Sequence, residues 1–392
     1  METFSLPHCR KTRINSIDIL RGMVMIIMAL DHTRDFFHIS SDPTNILTTT
    51  PILFFTRWIT NFCAPVFVFL SGTSAFLSGR RKSKKALSIF LFKRGLWLIF
   101  VEVAIFNLFL TFDPSYSFIA VQVLWVIGFS MIILSVIIYL PLPVIFFTGM
   151  IIVVGHNFLD AFDYSRPAIP PVWWGFLHQQ SFFPYGHNRI FAFLYPLIPW
   201  PGVMMLGYCV GSMYQQNYER KRRCRQLMAY GIMITIFFIA LRFTNIYGDP
   251  SEWQQQKNFV FTLLSFLNVT KYPPSLLYLT MTLGPALILL SLFERLNAKW
   301  TKIVALYGRV PFFYFLVHFF VLHFICMVIF FINGHTLSQA NTGLLHFRPD
   351  DFGYSLGIVY LIWAAVVVLL YPVCKKYDRL KSSHKMWWLS YL

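Results

Sequence analysis

The sequence predicts an all-α membrane protein that crosses the bilayer about ten times, with both termini in the cytoplasm. Of its 392 residues, 57% are apolar and only 12% are charged, a balance that does not fit a soluble domain of this length. Apolar segments of spanning length alternate with short runs of Lys and Arg, the pattern of cytoplasmic loops. Membrane topology therefore explains the net charge of +17, and nucleic acid is not an expected partner.

Ten segments have the length and composition of membrane spans. They cover residues 17–30, 57–78, 95–111, 119–140, 144–158, 191–214, 227–246, 276–292, 303–332 and 354–373. Basic runs at 10–13, 79–85, 219–225, 294–302 and 375–385 place both ends and alternate connections in the cytoplasm. The sequence thus divides into a cytoplasmic tail at 1–15, a transmembrane domain at 16–374 and a basic cytoplasmic tail at 375–392.

The outer connections and two unusual spans carry further predictions. The connection at 160–189 is long for a loop, and we interpret it as a partly re-entrant lid. A short interfacial helix is predicted at 259–267. In the ninth span, Pro311 predicts a tilt or kink. In the third span, Glu102 needs a partner, and a structural hydrogen bond is favoured over a proton relay.

A dense cluster of ionisable residues closes the first predicted helix: Asp31, His32, Arg34, Asp35 and His38. His32 lies about 22 Å along a helix that crosses a core of about 30 Å, so we expect the cluster in the outer half of the membrane. Ionisable groups there indicate a functional site by default. His32 and Asp35 share a helix face, and either Asp31 or Asp35 is expected to orient the imidazole. The simpler alternative is a polar helix end, which five ionisable groups within eight residues disfavour.

Two kinds of chemistry fit this cluster. A histidine held by a carboxylate can act as a general base or accept an acyl group itself. The same groups could instead couple proton movement to transport, with Arg34 as an anion contact, so a secondary transporter or exporter is the alternative. Transporters often contain internal repeats, and the two halves of this chain show no convincing similarity. A scaffold or receptor subunit would leave the cluster without a purpose.

Several motifs point to the first of these functions. Arg21 is followed after ten residues by His32, which resembles the arginine-x10-histidine signature of membrane-bound acyltransferases. The likeness extends to SIDILRG at 16–22, APVFVFLSGTSAFLSG at 64–79, WVIG at 125–128, KYPPSL at 271–276 and GRVPFFYFLVH at 308–318. Together these segments resemble the bacterial branch of the heparan-α-glucosaminide N-acetyltransferase catalytic-domain family, over essentially the whole chain.

The resemblance implies a transmembrane acyltransferase that takes an acetyl group from cytosolic acetyl-CoA and delivers it to an extracytoplasmic carbohydrate or related amine or hydroxyl. It implies that His32 is the base or acetyl carrier and that Arg21 lies nearer the donor. Animal lysosomal members have an asparagine where His32 stands and a histidine in the following loop, for which His38 is the candidate counterpart. We expect a protein of the bacterial cytoplasmic membrane, in contact with the lipid bilayer, and leave a homodimer open.

Other polar residues are assigned to the two substrates. Coenzyme A is polyanionic, so the basic run at 79–85 and Arg309 are candidates to bind its phosphates. Lys271 is a candidate to bind either a donor phosphate or the acceptor. The acceptor site is further expected to include Arg34, His38, Trp125 and His156.

No metal site is expected. The six cysteines are scattered singly, without the spacing of a metal site or a disulfide framework, and are interpreted as packing residues. His318 and His323 are five residues apart, so they lie on different faces of a helix and are not expected to bind one metal. Packing is the favoured role for both histidines.

Overall fold

The computed structural model describes residues 14–39, 41–162, 170–296, 298–340, 345–349 and 352–383. Most of the predicted N-terminal tail and residues 384–392 of the predicted C-terminal tail lie outside these ranges. The last helix continues past the predicted boundary at residue 374 to Ser383, and the division into two tails and a transmembrane domain stays a prediction.

The described residues form mostly α-helices, which we number in chain order. The first eight are α1, Asn15–Phe37; α2, Pro51–Trp58; α3, Cys63–Gly79; α4, Lys84–Phe100; α5, Asn107–Thr111; α6, Val123–Ile137; α7, Leu142–Gly155; and α8, Val172–Leu177. The others are α9, Trp200–Gly211; α10, Arg220–Thr244; α11, Phe259–Leu267; α12, Leu276–Phe293; α13, Lys299–Arg309; α14, Pro311–Ile332; and α15, Leu356–Ser383.

Six helical segments in the described part of the chain are long and apolar enough to cross a membrane. They are Pro51–Gly79, which joins α2 to α3 through a 3₁₀ turn, Leu142–Ala161, Arg220–Thr244, Leu276–Phe293, Pro311–Ile332 and Leu356–Ser383. The helical membrane class is therefore confirmed. The ten crossings and the placement of the termini stay predictions.

Two of the predicted spans begin as β-strands, which corrects the all-helical prediction. Strands β1, Phe118–Val121, β2, Ser181–Pro184, and β3, Ile190–Phe193, form one sheet in the order β1-β3-β2. β3 pairs in parallel with β1 and antiparallel with β2. The residues of β1 and β3 are mostly β-branched or aromatic, and prolines after β3 delay the next helix until Trp200.

The buried carboxylate of Glu102 stabilises the point at which strand β1 ends and helix α6 begins. It accepts hydrogen bonds from the backbone N–H groups of Gln122 (2.8 Å) and Leu124 (3.0 Å) at the start of α6. A carboxylate at a helix N-terminus satisfies amide groups that have no partner within the helix. The predicted structural role of Glu102 is therefore confirmed.

The predicted ninth span is divided into α13 and α14. The break falls at Val310, whose backbone (φ −126°, ψ 44°) is not helical. Pro311 causes it, because proline has no N–H to donate and disfavours the helical conformation of the residue before it. With 11 residues α13 is too short to cross the bilayer, and α14 is the spanning segment.

Glycines allow neighbouring helix backbones to approach closely in the core, where α1 packs on α13. A β-carbon on Gly22 would collide with the Val304 carbonyl oxygen, and one on Gly308 would collide with that of Asp18. Gly72 of α3 makes the same kind of contact with the Met204 carbonyl oxygen of α9. In a membrane, small residues at helix–helix contacts let the two backbones approach closely.

We expect Gly308→Ala to lower the unfolding temperature of the purified protein in detergent, at a cost of about 1–3 kcal/mol, because α1 and α13 must separate. Gly357→Ala in α15 is the matched control, since nothing lies within 4 Å of its added β-carbon. Equal unfolding temperatures for the two variants would contradict the packing argument.

The predicted short helix at 259–267 is confirmed by α11, which has the same bounds. Its C-terminal end is held by the buried guanidinium of Arg242, which donates to the carbonyl oxygens of Phe266 (3.0 Å), Ser265 (3.2 Å) and Asn268 (3.0 Å). This contact ties the segment that leads to Lys271 firmly to α10.

Candidate active site

The last two turns of α1 line a cavity of about 450 Å³. We call it the His32 cavity. Its walls include all five residues of the predicted cluster: Asp31, His32, Arg34, Asp35 and His38. Other walls come from distant parts of the chain, among them Arg57 of α2, Lys271 before α12, Phe319 of α14 and Arg348. The volume is typical of a small-molecule site.

His32 is held by a second histidine, His318 of α14. The His32 Nδ1 atom lies 2.8 Å from the His318 Nε2 atom, and the His318 Nδ1 atom lies 2.8 Å from the Tyr314 carbonyl oxygen. His318 is completely buried. Phe319 packs on His32, with 4.0 Å between the centroids of the two rings. The imidazole of His32 therefore has one orientation.

This geometry assigns the protons of both neutral rings. A carbonyl oxygen only accepts, so His318 must carry its proton on Nδ1 and offer Nε2 as an acceptor. His32 then donates its Nδ1 proton to His318 Nε2. The remaining nitrogen of His32, Nε2, keeps a free lone pair, which is the state that a general base or an acyl acceptor requires.

The two carboxylates pair with arginines, which corrects the prediction that one of them orients His32. Asp31 contacts Arg34 at 2.9 Å and Arg57 at 3.2 Å, and Asp35 contacts Arg34 at 2.5 Å. A guanidinium is permanently charged and offers five donors, so it binds a carboxylate more strongly than a neutral imidazole does. His318 takes the orienting position instead.

Sequence reasoning missed Arg57 and assigned His318 to packing. Arg57 is the one charged residue in segment 51–79. A single charge in an apolar segment indicates a functional residue, so Arg57 could have been found from the sequence. It donates to Asp31 Oδ2 and, at 2.9 Å, to Thr60 Oγ1. His318 had no comparable signal, because it lies 286 residues from His32.

A second cavity, of about 710 Å³, lies at the other end of α1 and carries several cations. We call it the basic cavity. Its walls include Arg21 and the basic run Arg80, Arg81 and Lys82. The Arg21 guanidinium is fixed by Ser74 Oγ (2.7 Å) and by the Gly308 carbonyl oxygen (3.2 Å). Concentrated positive charge of this kind suits phosphate groups.

A narrow cavity of about 100 Å³ lies between these two. It shares Arg21 with the basic cavity, and it shares Phe67, Val123 and Phe315 with the His32 cavity. Arg21 and His32 are eleven residues apart on one helix, or about 16 Å. The three cavities therefore follow one another along α1.

Three predicted binding residues lie elsewhere. Arg309 pairs with Asp378 of α15 at 2.8 Å and does not line the basic cavity. Trp125 packs against the rings of Phe129, Phe176 and Phe193. His156 lies between the carbonyl oxygens of Val153 (2.9 Å) and Pro274 (2.8 Å). Neither Trp125 nor His156 lines the His32 cavity.

Lys271 lines the His32 cavity and not the basic cavity. Arg34 and His38 line the His32 cavity as well, and the binding of an acceptor by these three residues stays a prediction. Within the described ranges, no three His, Cys, Asp or Glu side chains are grouped so that they could hold a metal ion.

Comparison with known proteins identifies the family. The model of a family described as heparan-alpha-glucosaminide N-acetyltransferase, catalytic, matches residues 13–247. The matched segment contains Arg21, His32, Arg57 and the basic run, whereas Lys271 and His318 follow it. No curated protein matches the chain. The chain belongs to the heparan-α-glucosaminide N-acetyltransferase catalytic family, a family of membrane acetyltransferases, as its sequence motifs predicted.

Proposed function

We propose that this protein transfers an acetyl group from cytosolic acetyl-CoA to a carbohydrate or related acceptor in the His32 cavity, on the extracytoplasmic side. His32 acts as the general base or as the acetyl carrier. The observation that carries the proposal is the contact between His32 and His318, since it leaves His32 Nε2 unprotonated in a cavity of ligand size.

The donor is assigned to the basic cavity and the narrow cavity beyond it. Phosphates of coenzyme A would bind beside Arg80, Arg81 and Lys82, and Arg21 would meet the arm where it enters the narrow cavity. The slender pantetheine arm would then run along α1 and bring the thioester to His32. Apolar side chains such as Phe67 and Phe315 line this path, which suits an uncharged thioester.

The transfer can follow two routes. In the direct route the acceptor oxygen or nitrogen forms a bond to the acetyl carbonyl carbon while the C–S bond breaks. The proton of the acceptor group passes to His32 Nε2 and then to the departing thiolate. In the carrier route His32 Nε2 first takes the acetyl group and the thiolate leaves. The acceptor then displaces the imidazole, and its proton passes to the thiolate. In both routes His318 keeps the His32 ring in place.

The test is acetyl-CoA binding and release of free thiol by detergent-purified protein, with pooled cell-envelope glycans as acceptor. The Arg80→Gln/Arg81→Gln variant is expected to raise the KM for acetyl-CoA roughly tenfold with kcat nearly unchanged, because charge-assisted hydrogen bonds to phosphate are lost in ground and transition states alike.

The matched control is Lys84→Gln/Lys85→Gln, which removes two charges from the same run but none from the basic cavity. Its KM should stay close to that of the wild type. If the folded wild type neither binds acetyl-CoA nor releases thiol, the acyltransferase proposal is wrong. Proton-driven flux in liposomes without any acyl donor would then support a transporter.

A further inference from the structure

The charge of the His32 cavity bears on the kind of acceptor that it can hold. Four basic side chains and two carboxylates line it: Arg34, Arg57, Lys271, Arg348, Asp31 and Asp35. Among the described residues that line the cavity, basic side chains therefore outnumber carboxylates. A cavity of one sign concentrates ligands of the other sign and repels ligands of its own.

The two carboxylates are already engaged. Asp31 uses one oxygen for Arg34 and the other for Arg57, and Asp35 bonds to Arg34 through Oδ1. Of the other two cations, Arg348 donates to the His38 carbonyl oxygen (2.6 Å), and Lys271 has no direct ion-pair partner among the described residues. An ammonium group in the acceptor would have to displace a guanidinium from Asp31 or share the half-exposed Asp35 with Arg34.

Lys271 is the cation that is open to a ligand. Its Nζ atom has no hydrogen-bond or ion-pair partner among the described residues, and its one nearby aromatic contact is the Tyr272 ring, whose centroid lies 5.2 Å away. The backbone that presents it is well held, because the Asp249 carboxylate accepts hydrogen bonds from the Thr270 N–H (2.8 Å) and from Ser275 Oγ (2.6 Å). Lys271 is thus a positioned ammonium group that no carboxylate of the described residues contacts directly.

We propose that the acceptor is an anionic hydroxyl compound, a sugar acid or a sugar phosphate, whose carboxylate or phosphate binds Lys271 while one of its hydroxyls reacts at His32. This inference rests on the proposed acetyl transfer. The hydroxyl oxygen forms a C–O bond to the acetyl carbon, the C–S bond breaks, and the hydroxyl proton passes through His32 Nε2 to the thiolate. The product is an acetate ester and not an acetamide.

The experiment measures binding of four hexoses to the purified protein by calorimetry: glucuronate, glucose 6-phosphate, glucose and glucosamine. The two anions should bind roughly tenfold or more tightly than glucose, and glucosamine should bind least well. Comparing glucuronate with glucose 6-phosphate tells a carboxylate site from a phosphate site. Lys271→Met should remove most of the preference for anions.

Lys257→Met is the matched control, because Lys257 is an exposed lysine in the same connection that does not line the cavity. It should leave all four affinities unchanged. The proposal is overturned if neither anion binds, if glucosamine binds as tightly as the anions, or if both lysine variants have the same effect. Acetyl-CoA turnover is measured separately, so loss of turnover with intact anion binding would reject the transferase function alone.

Discussion

His32→Ala is expected to lower acetyl transfer at least roughly 100-fold while leaving the affinity for acetyl-CoA within about twofold of the wild type. The reason is that His32 is proposed to supply the ring nitrogen for the chemistry, whereas the donor's phosphates are assigned to the basic cavity about 16 Å away along α1. Thiol release and equilibrium binding of acetyl-CoA measure the two effects separately.

His38→Ala is the matched control for this variant. Both histidines line the same cavity, but His38 contacts the Ser41 hydroxyl, at 3.4 Å, and contacts no other histidine among the described residues. We expect His38→Ala to cost less than about threefold in kcat. The reverse order of effects would assign the chemistry to His38, the counterpart suggested by the animal enzymes.

The same protein can tell the two routes apart. If His32 carries the acetyl group, rapid mixing with acetyl-CoA in the absence of acceptor should add one acetyl group to the tryptic peptide that contains His32. That mass should not appear on the same peptide of the His32→Ala variant. Absence of the acetyl peptide together with intact turnover would favour the direct route.

His318→Phe is expected to lower kcat roughly 100-fold without raising the KM for acetyl-CoA, because His32 would lose the acceptor that fixes its ring and its tautomer. Phenylalanine fills similar space but accepts no hydrogen bond. Since His318 is proposed to act through His32 and not on the substrate, it is a positioning residue.

His318→Gln separates positioning from simple packing. Its amide oxygen can accept the His32 Nδ1 proton and its amide nitrogen can donate to the Tyr314 carbonyl oxygen, so it reproduces both hydrogen bonds. We expect this variant to recover most of the kcat lost in His318→Phe, with a similar unfolding temperature for both. Equal activity of the two variants would show that His318 only fills space.

Individual residues show where sequence reasoning succeeded and where it failed. The cluster at 31–38 could be found because charge inside an apolar helix is costly and therefore conspicuous. Its internal pairing was only partly predictable, since helical spacing allowed Asp35 to meet His32 and Asp31 to meet Arg34 or Asp35. The pairing of Arg309 with Asp378 could not be predicted, because Asp378 lies on another helix, 69 residues along the chain.

The sequence by itself determined the helical membrane class, the family, the short helix at 259–267 and the location of the ionisable cluster at the end of α1. Each follows from local composition, periodicity or motif, which are properties of one segment at a time. The strands at the start of two predicted spans were missed because short apolar runs fit a strand and a helix equally well.

Only the tertiary structure decided which side chains meet in the site. It brings His318, Arg57 and Lys271 from three separate elements to His32, and it joins the basic cavity to the His32 cavity along α1. The physical reason is that a membrane helix is apolar on nearly every face, so its hydrophobic pattern does not indicate which neighbour it packs against. Close glycine contacts and a few buried hydrogen bonds select those neighbours, and they join residues far apart in the chain.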